Sequence, residues 1–477
     1  MYFIVSILTI NENLKIMKKI INILILMFFS IQINAQCFIT FSSRGNHVLS
    51  LKSDGTLWAW GLNESGQIGD NSNTNKLVPV QIGTATDWQS ISAGEAFSLA
   101  LKTDGTLWAW GLNVYGQIGD NSTTNRLIPV QIGTATNWQS ISAGGSHSLA
   151  LKTDGTLWAW GSNASGQVGL GGIASKLTPT QIGTATDWET IFAGGGHSIA
   201  KKTNSSLWAW GNNGFGQLGI GSTSNVNIPT LVNTLIPWTT ISAGVLNTLA
   251  IKSDGTLWSW GANGAGQIGD NTTTMRSSPI QIGTDINWNA IASGYNLSVA
   301  KKTTGTLWVW GSNSNGQLGD NSLANKSIPT QVGTASNWLN FTVGSNHVIA
   351  RSSGVSFYNY INAWGDNQYG QLGNGTTINQ SIPTIVNSCN PFVLGNENFE
   401  YSNDFSIYPN PATTVINIQN NANLTIDSIV IYDISGNKVI EEHKNCETIN
   451  LEKLHAGTYL LKIYSKQKTV NIKFIKL

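Results

Sequence analysis

From Trp88 to Gly133 apolar and polar positions alternate in four short runs, WQSISA, FSLALK, TLWAWG and LIPVQI. Between them stand AGEA, an Asp-Gly turn, and the glycine- and asparagine-rich stretch LNVYGQIGDNSTTNR. Period-two alternation rich in β-branched and aromatic residues predicts strands, and Asp-Gly predicts a tight hairpin. The turn residues fall too often for a helix of ten residues to fit between them. Each unit is therefore expected to be a meander of four antiparallel strands.

The same pattern returns about every fifty residues. Trp58, Trp108, Trp158, Trp208, Trp258 and Trp308 form one register. Trp60, Trp110, Trp160, Trp210, Trp260, Trp310 and Trp364 form a second, and Trp88, Trp138, Trp188, Trp238, Trp288 and Trp338 a third. Together they account for all 19 tryptophans. The motif GQxG occurs seven times, starting at Gly66, Gly116, Gly166, Gly216, Gly266, Gly316 and Gly370, the last copy shifted by four residues within SSGVSFYNYINAWG. A four-stranded sheet cannot bury both faces alone, and stacking seven of them in a ring leaves no large open edge. Residues 37–390 are thus expected to form an all-β, seven-bladed propeller with indole rings between blades, followed by a small C-terminal β-sandwich.

The ends of the chain differ in composition from the repeats. MKKIINILILMFFSIQINAQ, from Met17, has a basic start, an apolar core of signal-peptide length and a small residue, Ala35, before Gln36. Residues 1–35 are read as an upstream extension followed by a secretory signal cleaved after Ala35. The core is too short for a stable membrane span, and Gln36 rather than a small residue precedes Cys37, against a lipid anchor. After a linker at 391–404, residues 405–477 hold FSIYPNPATTVINI, IDSIVIYDISGNKVI and AGTYLLKIYSKQKTVNIKFIKL, short alternating runs with a turn at Ser435-Gly436-Asn437. Export to an oxidising compartment permits a disulfide. Cys37 falls at the repeat position of Asp87 and Cys389 at that of Ala85, where a closed ring joins its ends, so these two are expected to pair and Cys446 to stay unpaired.

Charge and motif content narrow the chemistry. Net charge is +1 and charged residues make up 11% of the chain, so a basic face for nucleic acid is not expected. The lysines at 52, 102, 152, 202, 252 and 302 read as a solvated blade rim. His47, His147, His197 and His347 share a position that Phe97, Asn247 and Leu297 occupy elsewhere, which argues for histidines bonded within their blades and against a metal ring. The GDNSTTN-type loops lack the ligand spacing of a dedicated calcium loop. No nucleophile elbow is present. No enzyme, metal or cofactor is therefore expected.

In a four-stranded meander the first and third loops of each blade share one face. The middle hairpins (SDGT, TDGT, TDGT, TNSS, SDGT, TTGT) and most crossovers (GTATD, GTATN, GTATD) on the other face scarcely change. The third loop instead varies, through Glu64 and Ser65, Val114 and Tyr115, Gly214 and Phe215, to Gln368 and Tyr369, while the first loop varies through Glu95, Val245 and Tyr295. Tyr115, Phe215, Tyr295, Tyr369, Glu64 and Glu95 are the candidate ligand-binding residues for an extracellular protein partner, or alternatively for a glycan.

The cycle AGGSHSLALKTDGTLWAWG, at 143–161, followed by NxxGQxG, resembles the regulator of chromosome condensation repeat. That resemblance implies a seven-bladed propeller. It covers about three quarters of the chain and speaks less of function, since the family includes a nuclear guanine-nucleotide exchange factor and a secreted inhibitor that clamps a β-lactamase. The exchange factor carries a hairpin wedge in one blade, whereas the only length change here is the four residues of the last unit. YPNP at 408–411, Asp433 to Gly436, and GTYLLKI at 457–463 resemble the motifs of the type IX secretion C-terminal sorting domain of the Bacteroidetes. This implies handling by an outer-membrane secretion machinery and delivery to the cell surface or the medium.

Overall fold

The computed structural model describes residues 37–233, 237–354, 359–389, 405–420, 424–433, 438–443, 447–465 and 469–477. The expected signal peptide, the linker and the turn at 435–437 lie outside these residues. The chain divides into two compact units, one ending at Val393 and the other spanning Leu394–Leu477.

In the first unit seven sheets each contain four strands consecutive in sequence, all antiparallel. Blade 2 is representative, with an inner strand Trp88–Ala93, a second strand Phe97–Lys102, a third Leu107–Gly111 and an outer Arg126–Gln131. Inner strands of successive blades pack against one another, and that of blade 1 packs against that of blade 7, which closes the ring. Second strands such as Phe97–Lys102 are buried on both faces despite their alternating pattern, because a blade is sandwiched between two others.

Local motifs explain the repeat letters. In the DGTLW hairpin the Asp54 carboxylate accepts from the Thr56 amide (3.0 Å) and hydroxyl (2.6 Å), and the Trp58 indole donates to Thr56 Oγ1 (2.9 Å). In GQxG the Gln67 carbonyl accepts the buried Trp110 indole of the next blade at 2.9 Å. Gly69 lies at φ +88°, and a Cβ there would stand 2.7 Å from Trp110 Nε1, so only glycine fits. Six further blade pairs repeat the indole bond, and the last of them, Trp60 to the Gln371 carbonyl at 3.0 Å, spans the seam. Outer strands carry a proline in every blade, Pro79 through Pro383, which limits edge-to-edge pairing.

Two expectations change. The histidines bond between blades, not within them: His47 Nε2 meets Ser98 Oγ at 3.0 Å, His147 meets Ser198 at 2.9 Å, His197 meets Thr248 at 3.3 Å, and His347 meets Ser43 at 3.1 Å. The second strand faces its neighbour blade at this position, so the hydroxyl comes from there. The lysine ring is also no solvated rim. Each ammonium lies 3.3–5.7 Å from two aromatic centroids, Trp88 and Trp108 for Lys102, and three of them also pair with crossover carboxylates, as Lys102 does with Asp87 at 3.2 Å.

Cys37 occupies the crossover slot predicted for it. Ser53 N donates to the Cys37 carbonyl at 2.9 Å as Thr103 N does to that of Asp87. The side chain of Cys389, at the end of strand Gln380–Cys389, with which Cys37 is expected to pair, lies outside the described residues.

The second unit is a sandwich. A three-stranded sheet (Phe405–Tyr408, Val415–Asn420, Thr448–Asn450) faces a four-stranded one in which Ile426–Asp433 and Gly457–Ser465 are central. Phe405, Ile416, Ile418 and Ile449 from the first pack with Ile429, Ile431, Leu461 and Phe474 from the second. The GTYLLKI motif lies in one of the two central strands and turns Tyr459, Leu461 and Ile463 into that core.

Candidate functional site

The face bearing the first and third loops is built on a repeated polar frame. Buried Asn113 accepts from Ile118 N through Oδ1 and donates through Nδ2 to Asp120 Oδ1, Ser122 O and Thr124 O, at 2.9–3.1 Å. Asp120 in turn accepts from Ser122 and pairs with Arg126. Burial opposes its ionisation, but the bonds from Ser122 and Arg126 and the Arg126 charge hold the carboxyl below its usual range. Asp70, Asp270 and Asp320 repeat this arrangement, so these carboxylates are already engaged within their own loops.

The loop tips are held through their backbone amides by a glutamine side chain of the same loop. Gln117 Oε1 accepts the Tyr115 amide at 3.0 Å, and Gln217 and Gln371 do the same for Phe215 and Tyr369 at 2.9 Å. The side chains at the tips are thus free to differ between blades without disturbing the loop. Tyr115 is 49% exposed, Phe215 45% and Tyr295 44%; Glu64 and Glu95 are exposed too. Tyr369 is half-buried, less open than its loop position suggested. These residues do not form one patch. Tyr115, Phe215 and Tyr369 stand on the third loops of blades 2, 4 and 7 and Tyr295 on the first loop of blade 6, so the aromatics are spread around the ring.

Nearer the axis the first loops are linked by a circuit of backbone bonds of 3.0–3.3 Å, from Gly45 N to Gly94 O, through Glu95 N to Gly144 O, and finally from Ser345 N back to Gly45 O. Within it Gly45, Asn46, Leu62, Glu95, Leu112 and Ser345 line a cavity of about 380 Å³. Below lies a residue that the sequence reading missed. Arg44 stands where the six other blades have glycine, and its Nη2 donates across the axis to the carbonyls of Ala193 and of Ala243, the latter at 2.9 Å. Burial lowers its pKa to about 10, partly offset by the Glu95 charge. One arginine among six glycines at this position was the signal available in the sequence.

A closed ring of seven four-stranded blades, followed in the chain by a sandwich of separate composition, defines a β-propeller with an appended small β domain. Residues 31–239 match the RCC1-like domain, and 254–300, 304–351 and 361–394 match the regulator of chromosome condensation (RCC1) repeat. Residues 406–477 match the secretion system C-terminal sorting domain. The chain belongs to the RCC1 repeat family, and its type IX sorting tail directs it to the outer cell surface or the medium. Among solved structures, human WBSCR16 superposes with a TM-score of 0.62 at 21% identity, covering 70% of this chain and 94% of that one. Prp20p from Saccharomyces cerevisiae gives 0.59 at 22% identity, over 66% and 82%. The same yeast protein bound to Kap60 gives 0.62 at 19%, over 79% and 88%. At these identities the likeness is one of fold. No curated protein sequence matches the chain.

Proposed function

We propose that this is a secreted, non-catalytic recognition propeller that takes a protein partner on the face of its first and third loops. The observation that carries this reading is the third loop itself, in which a buried asparagine and a tip-binding glutamine fix the same backbone in successive blades while the tip residues change and expose Tyr115 and Phe215. A rigid scaffold with varied, aromatic-bearing tips suits protein recognition. Replacing Tyr115, Phe215, Tyr295 and Tyr369 by Ala is expected to weaken capture of the partner at least tenfold with little change in thermal stability, since a few aromatic anchors dominate such interfaces. Pull-down from the surface proteins of neighbouring cells by the parent and variant propellers checks it. Undiminished capture by the variant would remove the face assignment, and retention of an oligosaccharide array instead would favour the glycan reading.

The tail is read as the export signal of this cargo. Removing residues 405–477 is expected to leave a folded propeller trapped in the periplasm, because the two units have separate cores. Cell fractionation checks this, and delivery of the truncated chain to the surface or medium would contradict it.

A further inference from the structure

We propose that the cleft between blades 6 and 7 is a binding pocket for an aromatic group bearing or adjoining a primary ammonium. In blades 2 to 6 the same place is filled from within, where a lysine ammonium lies over a third-strand tryptophan and an inner-strand tryptophan, as Lys302 does over Trp308 (4.1 Å) and Trp288 (4.8 Å). Blade 1 differs only in having Phe38 for the inner-strand ring. Blade 7 keeps the inner-strand Trp338 but has Ser352 for the lysine, Asn362 for the tryptophan and Tyr360 for the threonine that anchors that indole. Asn362 Nδ2 donates to Ser352 Oγ at 3.0 Å, and among the described residues no ring or ammonium takes the places that the tryptophan and lysine hold in the other blades.

A cavity of about 760 Å³ results. Trp338, Tyr360, Val332, Ala335 and Ile385 line it, the valine and alanine being the side chains whose counterparts Ile82 and Ala85 pack with Trp108 between blades 1 and 2. Asp320 is the one charged residue among those lining it. Its pairing to Lys326 is loose, 3.6 Å against 2.5–2.6 Å for Asp70, Asp120 and Asp270. Lys301 donates to the Leu339 carbonyl and is not among the lining residues. The pocket therefore offers the Trp338 indole, apolar walls and, at its margin, a carboxylate whose Oδ1 is engaged within its own loop and whose Oδ2 is only loosely paired, surroundings that suit an aromatic cation. Six internal precedents, each an ammonium over two rings, show what the frame accepts. This site lies apart from the varied loop tips and does not depend on them.

Two probes share the chemistry and separate its sources. Tryptamine represents a free aromatic amine, and the blocked peptide acetyl-Gly-Lys-Trp-Gly-amide a partner's side chains. Calorimetric titration of the full mature chain is expected to show one of them binding with a dissociation constant of about 0.1–1 mM. Ser352→Lys places an ammonium that the frame already carries at this position in six blades and should weaken binding about tenfold or more. Asn362→Trp fills the ring position and should do the same while raising the unfolding temperature. Binding of the peptide alone assigns the pocket to a protein partner, and of tryptamine alone to a small molecule. If neither probe binds, or if Ser352→Lys folds and binds as the parent does, the proposal is wrong.

Discussion

Acidification from about pH 7 to about pH 4 is expected to unfold the propeller, and replacing His47, His147, His197 and His347 by Asn to remove most of that sensitivity. All four imidazoles are fully buried, and burial lowers their pKa from 6.5 to about 3, with the Arg44 charge adding to the effect at His147 and His197. The unfolded chain takes up protons below 6.5 that the folded chain refuses. Stability is therefore whole above that pH and falls as pH drops toward 3, by about 1.4 kcal/mol per pH unit for each histidine and about 5–6 kcal/mol per unit for the four together. Two such units withdraw about 11 kcal/mol, which is most or all of the total of about 5–15 kcal/mol typical of a folded domain. The loop carboxylates Asp70, Asp120, Asp270 and Asp320, whose pKa values are depressed from 3.8, withdraw stability only at still lower pH. Asn is the natural substitute, since Asn247 already holds this position in blade 5 and donates to Ser298 Oγ at 3.4 Å. Denaturant midpoints between about pH 7 and pH 4 test the claim. A flat profile for the parent, or an equally steep one for the quadruple variant, would refute it.

The histidines also show where sequence reading stops. Blades, strands and ring were legible because they are written in short-range chemistry, the Asp-Gly-Thr turn, the alternating runs and tryptophans at a fixed spacing. What a side chain meets in the next blade is not short-range. His147 and its partner Ser198 are 51 residues apart, and Arg44 reaches carbonyls 149 and 199 residues away. The lysine ring looked like a rim because sequence shows the lysine beside its turn but not the two aromatic rings that its ammonium lies over. For the loop tips, position in the repeat predicted exposure for Tyr115, Phe215 and Tyr295 and overstated it for Tyr369, whose ring is half-covered. The pocket of blade 7 was half-visible, as a tryptophan register that ends at Trp308, but a missing side chain becomes a site only when its neighbours fail to close over it.

Loss of the disulfide that we propose between Cys37 and Cys389 should be the largest single-bond effect on stability. No strand is exchanged at the seam, since blade 1 and blade 7 are each made of four consecutive strands. Six crossovers tie neighbouring blades covalently, and at the seventh junction the chain has no crossover. There the ring is held by contacts that other blade pairs also have, such as Ser43 N to Thr342 Oγ1 at 3.0 Å, Gly375 N to the Leu77 carbonyl at 2.9 Å and the Trp60 indole bond. Cys37 immediately precedes the inner strand of blade 1 in the slot of a crossover residue, and Cys389 ends the outer strand of blade 7, paired with Asn359. A bond between them would stand in for the missing crossover. Closing a loop of about 350 residues is worth about 5–6 kcal/mol in the chain-entropy view, and about 2–4 kcal/mol is typical of measured disulfides. Cys37→Ser with Cys389→Ser is therefore expected to lower the denaturant midpoint by an amount matching several kcal/mol and to expose the seam first, seen as faster hydrogen exchange in strands Phe38–Ser43 and Trp338–Val343. Peptide mapping of the non-reduced mature protein settles the pairing: a link from Cys37 to Cys446, or alkylatable thiols at both 37 and 389, would overturn it.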